Sequence, residues 1–337
     1  TPKPSSAASD VYKRQPLDQF FFMQLCLLDA DYVIEEGKPF VRLFCVGKNG
    51  KRVMLKDGSL VPYLLVLPKK GKLEALKRRI EKIKKFKILK VEKTERIWMG
   101  EKLDFLQVFT VLPPDVPKIK DIVKHFSELE KKAEFAINFY RRWLLDKRMG
   151  GMYWFDCETK DGVVKKIKPV NLVEIPKLKM LAFDIETVEG KIVMISLFGE
   201  KLRRVLTYRK DRKYPRYVKV LRDEKEVLEE FVRIVQEEDP DVLLGYNSDL
   251  FDFPVLQERG QELKVKLNLG RDGSHMVFER RARISSARIA GRVHVDLYQF
   301  INNILAAQLQ TEVLTLDAVS AELLGDEKIS MECEEIC

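Results

Sequence analysis

Lys179-Met180-Leu181-Ala182-Phe183-Asp184-Ile185-Glu186-Thr187 reads as a strand whose two faces differ. A side-chain period of two sets Asp184 and Glu186 on one face and Ile185 on the other. The apolar flanks Leu181, Phe183 and Ile185 predict that the strand is buried. Two charges at the edge of a buried strand are costly unless they are paired or bound to metal. Hard cations such as Mg²⁺ or Mn²⁺ take carboxylate oxygens and are the natural partners.

The residues around this strand extend it into a mixed α/β fold with a central sheet. Lys191–Phe198 answers it as a second strand after a Glu189-Gly190 turn. Val227, Leu228, Phe231, Val232 and Val235 predict a helix that Asp239-Pro240 stops. Val242-Leu243-Leu244-Gly245-Tyr246 reads as a short buried strand, and Phe253 to about Leu263 as a further helix.

Holding two ions ~3.5–4 Å apart, as nucleases and polymerases do, calls for one more acid. Asp252 lies just past the buried strand, where a strand end meets a helix start, and open α/β sheets place their sites there. Asp249 competes for this place, and Asp252 is preferred partly on the resemblance given below. Asn247 is placed to hydrogen-bond near a terminal nucleotide and Phe251 to stack on it; such stacking contributes roughly 1–3 kcal/mol per base. A second string of the same shape, Phe155-Asp156-Cys157-Glu158-Thr159, runs into the polar turn Lys160-Asp161-Gly162. It is read as a decoy without an apolar β-return.

The first fifteen residues, TPKPSSAASDVYKRQ, have no apolar period and are expected to be disordered or foreign to the native protein. From about Leu25 the pattern changes. Leu27–Ile34 and Phe40–Val46 predict a hairpin about the turn Glu35–Pro39. Leu73, Leu76, Ile80 and Ile83 recur at helical spacing among lysines and arginines. Strands are expected at Ile88–Val91 and Phe105–Leu112, then a helix opened by Asp115-Val116-Pro117. That order resembles the split βαβ units of RNA-recognition folds. The polar stretch Lys160–Lys168 is read as separating the two regions. The expected organisation is a tail over 1–16, an α+β N-terminal domain over 17–173 and an α/β domain over 174–337.

Lysine and arginine total 61 against 52 acids, a formal charge of +9, which suits a polyanionic partner. No apolar run reaches the ~18 residues of a membrane span. The five cysteines, 26, 45, 157, 333 and 337, form no C-x-x-C pair, and none is spaced with His125, His275 or His294 as zinc ligands are. Reduced structural thiols in a cytoplasmic protein are expected.

Phe183–Thr187 (FDIET) followed by Tyr246–Phe253 (YNSDLFDF) resembles the first two exonuclease motifs of archaeal-type family B DNA polymerases. Leu269–Ser274, Gly291–Tyr298 and Asp29–Pro39 (DADYVIEEGKP) are similar to archaeal members as well. The resemblance implies a family B N-terminal domain followed by a ribonuclease H-like 3′→5′ proofreading exonuclease domain. It makes Asp184, Glu186 and Asp252 ligands of two divalent cations, Mg²⁺ or Mn²⁺. The implied partners are the single-stranded 3′ end of a DNA primer, the template strand and the remainder of a polymerase chain. Thr187, Asn247 and Phe251 are the expected DNA contacts, with Arg271, Arg280 and Arg281 on or beside a strand-separating hairpin between Leu267 and Val295. Tyr32, Pro62, Ile137 and Arg142 match a pocket that senses template uracil. Phe105 stands there where a small valine is usual, and Asn138 where proline is usual, so a bulky Phe105 is expected to block the base. The third exonuclease motif, Tyr-x-x-x-Asp, is expected beyond Cys337, and the polymerase-palm strings D-x-x-S-L-Y-P and D-T-D do not occur. Two other readings stay open: a catalytically incomplete single-strand-binding fragment, and a free-standing exonuclease acting on RNA.

Overall fold

The computed structural model describes residues 20–210, 214–281, 284–311 and 313–325. The N-terminal tail, Cys333 and Cys337 lie outside them. The chain divides into two compact units, with the boundary between Pro176 and Lys177.

The N-terminal unit holds β1 (Phe20–Glu35), β2 (Lys38–Gly47), β3 (Arg52–Asp57), β4 (Tyr63–Pro68), α1 (Leu73–Glu81), β5 (Ile88–Trp98), β6 (Glu101–Thr110), α2 (Asp115–Val123), β7 (Leu129–Ala133), α3 (Phe139–Lys147), β8 (Trp154–Lys160) and β9 (Val163–Pro169). Strands β1, β2, β3, β9 and β8 close into a barrel. Leu27, Val41, Leu43, Leu55, Trp143 and Phe155 are buried in its core. Strands β5, β6, β4 and β7 form a separate sheet in that order. Alternation along β4 and β6 splits this sheet into two faces. Leu64, Val66, Leu106 and Val108 meet Leu76, Ile80 and Ile119 of α1 and α2. Tyr63, Leu65 and Phe105 pack on the other face.

Lys160–Lys168 is not a separator. It contributes β9, which pairs antiparallel with β8 and closes the barrel. Its polar residues mislead because a barrel strand needs only one apolar face; Val164 is buried while Lys165 and Lys166 face water. Asp156 and Glu158 therefore do have a β-return, in the barrel wall, where Asp156 accepts a hydrogen bond from Gln24. Burial pushes the thiols of Cys26 up to about 11 and Cys157 to about 12, and that of Cys45 well above its ordinary range. These three free cysteines are buried core residues rather than reactive thiolates.

The C-terminal unit holds β10 (Met180–Val188), β11 (Lys191–Gly199), β12 (Arg203–Thr207), β13 (Val218–Val220), α4 (Glu224–Glu238), β14 (Val242–Gly245), α5 (Asp252–Glu262), β15 (Val277–Arg281), β16 (Ile284–Arg288), β17 (Val293–Asp296), α6 (Leu297–Phe300) and α7 (Leu316–Leu324). Its six-stranded sheet runs β13-β12-β11-β10-β14-β17. Strand β10 pairs antiparallel with β11 and parallel with β14, so it is central. Phe183 and Ile185 of β10 are buried with Phe231 of α4 and Phe253 of α5. Phe183 lies 5.7 Å from the Phe231 ring and 5.1 Å from the Phe253 ring. Helix α4 begins where the Asp223 carboxylate accepts the Glu226 backbone N–H and ends at Asp239 in the left-handed region. Strands β15 and β16 form an isolated hairpin. No helix among the described residues is long and apolar enough to cross a membrane.

Candidate active site

The strand period sets the chemistry of β10. Its core-facing residues fix the strand, leaving Asp184 exposed and Glu186 half-buried on the opposite face. The pairing of β10 with β11 shifts register between Glu186 and Thr187, so Thr187 falls just past an irregularity. Asp184 lines a cavity of about 500 Å³ with Ser196, Phe198, Arg203, Tyr217 and Tyr246.

Asp252 is the first residue of α5 and is buried. Its Oδ1 accepts the backbone N–H of Ile185 at 3.1 Å, which sets the carboxylate against the strand between Asp184 and Glu186. Burial, and then the negative charge of Asp184, push the Asp252 carboxyl up to about 7. The charge of Asp184 disfavours an ionised Asp252, a repulsion that a bound cation would offset. Among the described residues no group of three or more His, Cys, Asp or Glu side chains is arranged to hold a metal ion. Asp249, three residues earlier, faces elsewhere: its Oδ1 accepts the Ala287 backbone N–H at 2.7 Å.

The remaining expected contacts separate. Asn247 is half-buried with φ of 60°, and Phe251 is 42 % exposed, so both border the loop that leads to Asp252. Arg271 is not a surface arginine. Its side chain is 3 % exposed and pairs with Asp239 at 2.8 Å and with the fully buried Asp241 at 3.0 Å. Its charge is spent inside the fold, which sequence alone did not disclose because its partners lie some thirty residues away. Arg280 and Arg281 belong to β15, with side chains outside the described set, as is Arg283. Arg288 of the same hairpin pairs with Glu279 at 3.3 Å.

In the N-terminal unit, Tyr32, Pro62, Ile137, Asn138 and Arg142 line one cavity of about 330 Å³. Arg142 is buried, pairs with Glu134 at 2.9 Å and lies over the Tyr63 ring. Phe105 does not line this cavity; it packs with Leu65, Leu67 and Ala133 and against Trp98. Its strand turns the Phe105 ring into the core, outside the lining of this cavity.

Sequence reading also passed over Ser248, His294 and Asp296. Period two on the short strand Val293–Asp296 puts His294 and Asp296 on one face, and two polar side chains at alternate positions of a strand were the available signal.

A mixed sheet whose central strand carries Asp184 and Glu186, with Asp252 brought against it from a helix start, is a nuclease-type domain. Residues 130–319 match the family described as DNA polymerase family B, exonuclease domain. The chain belongs to DNA polymerase family B. It is 34% identical over 327 residues to a DNA polymerase of Thermococcus sp. (strain GE8), covering 92% of this chain and 17% of that protein. It is 32% identical to a DNA polymerase of Pyrococcus glycovorans and 33% to one of Thermococcus gorgonarius, each over 92% of this chain and 38% of the relative. The solved family B DNA polymerase of the hyperthermophilic archaeon Pyrobaculum calidifontis superposes with a TM-score of 0.69 at 28% identity, covering 88% of this chain and 39% of that one. The chain thus spans well under half the length of these relatives.

Proposed function

We propose that this chain carries the 3′→5′ proofreading exonuclease of a family B DNA polymerase, removing mispaired nucleotides from a primer end. The observation that supports this most is the Asp252–Ile185 hydrogen bond, which joins the acid of the second motif to the strand of the first. Asp184, Glu186 and Asp252 are the residues to hold Mg²⁺ or Mn²⁺. Two divalent cations held there would supply water activation and charge stabilisation at the leaving 3′ oxygen. The protein's own part is positional. Asp252 must shed its proton to act as a ligand, and a carboxyl at about 7 does so near neutrality. The exposed edge of Phe251 offers a stacking surface to a terminal base, and half-buried Asn247 a hydrogen-bonding group beside it. The partners are a single-stranded DNA 3′ end, the template strand and the rest of a polymerase chain, in a cytoplasmic setting. Degradation of a 5′-labelled single strand with Mg²⁺ or Mn²⁺ is expected to stop in Asp184→Ala; unchanged cleavage in that variant refutes the assignment.

The second reading, single-strand binding without cleavage, is favoured by one observation: no three-donor cluster is arranged among the described residues. A gel shift beside the nuclease assay separates the two. The cavity about Tyr32 and Arg142 is proposed as a template-base pocket, supported by its lining, which Phe105 does not join. Template oligomers that differ only in uracil against thymine are expected to differ in affinity.

A further inference from the structure

Behind the loop that leads to Asp252 lies a buried chain of polar side chains that the proposed chemistry does not use. Ser248 Oγ is 2.9 Å from Nε2 of His294, and Nδ1 of His294 is 3.4 Å from Oδ1 of Asp249. That same Oδ1 accepts the backbone N–H of Ala287 in the hairpin strand β16. Beside it, the Asp296 carboxylate accepts the N–H groups of Asn247 at 2.9 Å and Asp249 at 3.0 Å, and it caps α6 through Tyr298 at 3.0 Å. The order Ser–His–Asp is the one that acyl-transfer enzymes use. It is not a nucleophile here, because Ser248 is wholly buried and the His294 ring packs edge-on against Phe253 at 4.8 Å.

Buried polar groups are costly unless satisfied, so these bonds hold the segment to one conformation. Asn247 turns the segment at a φ of 60°, a conformation that asparagine accepts more readily than most residues. Four parts of the chain are thereby tied together: the loop, β16, β17 and the start of α6.

We propose that His294, held between Ser248 and Asp249, is a positioning residue for the exonuclease reaction. It fixes the loop that presents Asn247, Phe251 and Asp252 to β17, and it contacts Asp249, the residue that bonds that loop to β16 of the hairpin. The inference rests on the exonuclease reading.

The test compares the full chain with His294→Ala, His294→Gln, Ser248→Ala and Asp184→Ala. It follows single-turnover cleavage of a 5′-labelled single strand, DNA affinity, and Mn²⁺ affinity by electron paramagnetic resonance. Loss of a group that orients a metal ligand costs about 10–100-fold in activity or metal affinity, so His294→Ala is expected to slow cleavage at saturating DNA by that order. DNA affinity should stay within about twofold, and His294→Gln, which keeps a polar end toward Ser248, should recover most of the rate. If His294→Ala does not fold, Ser248→Ala decides; it is expected to lower the rate at least about threefold, as loss of one hydrogen bond does. Wild-type rate and Mn²⁺ affinity in the folded His294 variant, or in Ser248→Ala, beside loss of both in Asp184→Ala, would overturn the proposal and leave the exonuclease reading standing. A wild-type chain that neither binds Mn²⁺ nor cleaves removes that reading and this one with it.

Discussion

Asp252 Oδ1 accepts the backbone N–H of Ile185, so an acid 67 residues downstream is fixed against the strand that carries Asp184 and Glu186. The bond is to the backbone of a buried residue and does not depend on the neighbouring carboxylates.

A carboxyl at about 7 is largely protonated at pH 6 and largely ionised at pH 8, and only the ionised form binds a cation. Mn²⁺ affinity is expected to rise roughly tenfold between those pH values, with proton release on binding. Calorimetry in two buffers of different ionisation enthalpy measures both.

The same shift fixes the direction of stability in the metal-free protein. The folded-state value lies above the unfolded one, so the protonated acid is the favoured form in the fold. That stabilisation is complete below about pH 4 and is lost as pH rises toward 7, leaving a penalty above it. Asp252→Asn keeps an oxygen to accept from Ile185 and removes the charge. It is expected to stabilise the metal-free chain by up to about 4 kcal/mol at pH 8, with little gain at pH 4. Denaturant midpoints at the two pH values check it.

Arg271→Ala is expected to destabilise by roughly 3–5 kcal/mol, because it leaves Asp241 as a buried charge without this partner. DNA affinity and its salt dependence, measured on the folded fraction, should not change. A salt slope reduced by about one would show instead that Arg271 touches phosphate.

Phe253→Ala is expected to cost about 3–5 kcal/mol through the cavity left beside Phe183 and His294. Asp156→Ala, in the barrel strand of like motif, should cost no more than about 1 kcal/mol, the worth of its bond to Gln24. It should leave Mn²⁺ binding as in wild type.

What the sequence disclosed follows the range of the physics involved. Strand period separated Asp184 and Glu186 from Phe183 and Ile185, and the Asp239-Pro240 stop marked the end of α4, because both signals are local. The barrel closure by β9 was hidden, since Lys165 and Lys166 outweigh one buried valine in any composition window. The burial of Arg271 and the His294 chain were hidden for another reason: each is decided by partners tens of residues away. Phe105 shows the same limit. Its identity suggested an obstruction, but only the direction of its strand face decides where the ring lies.

Manganese titration of the wild-type chain, Asp184→Asn, Asp252→Asn and the double variant is the most direct measurement of the proposed shared cation site. Each single variant is expected to weaken binding about tenfold or more, and the double variant to lose little beyond the weaker single one, as groups sharing an ion do. Wild-type affinity in either single variant, or losses that simply add, would contradict a site shared by Asp184 and Asp252.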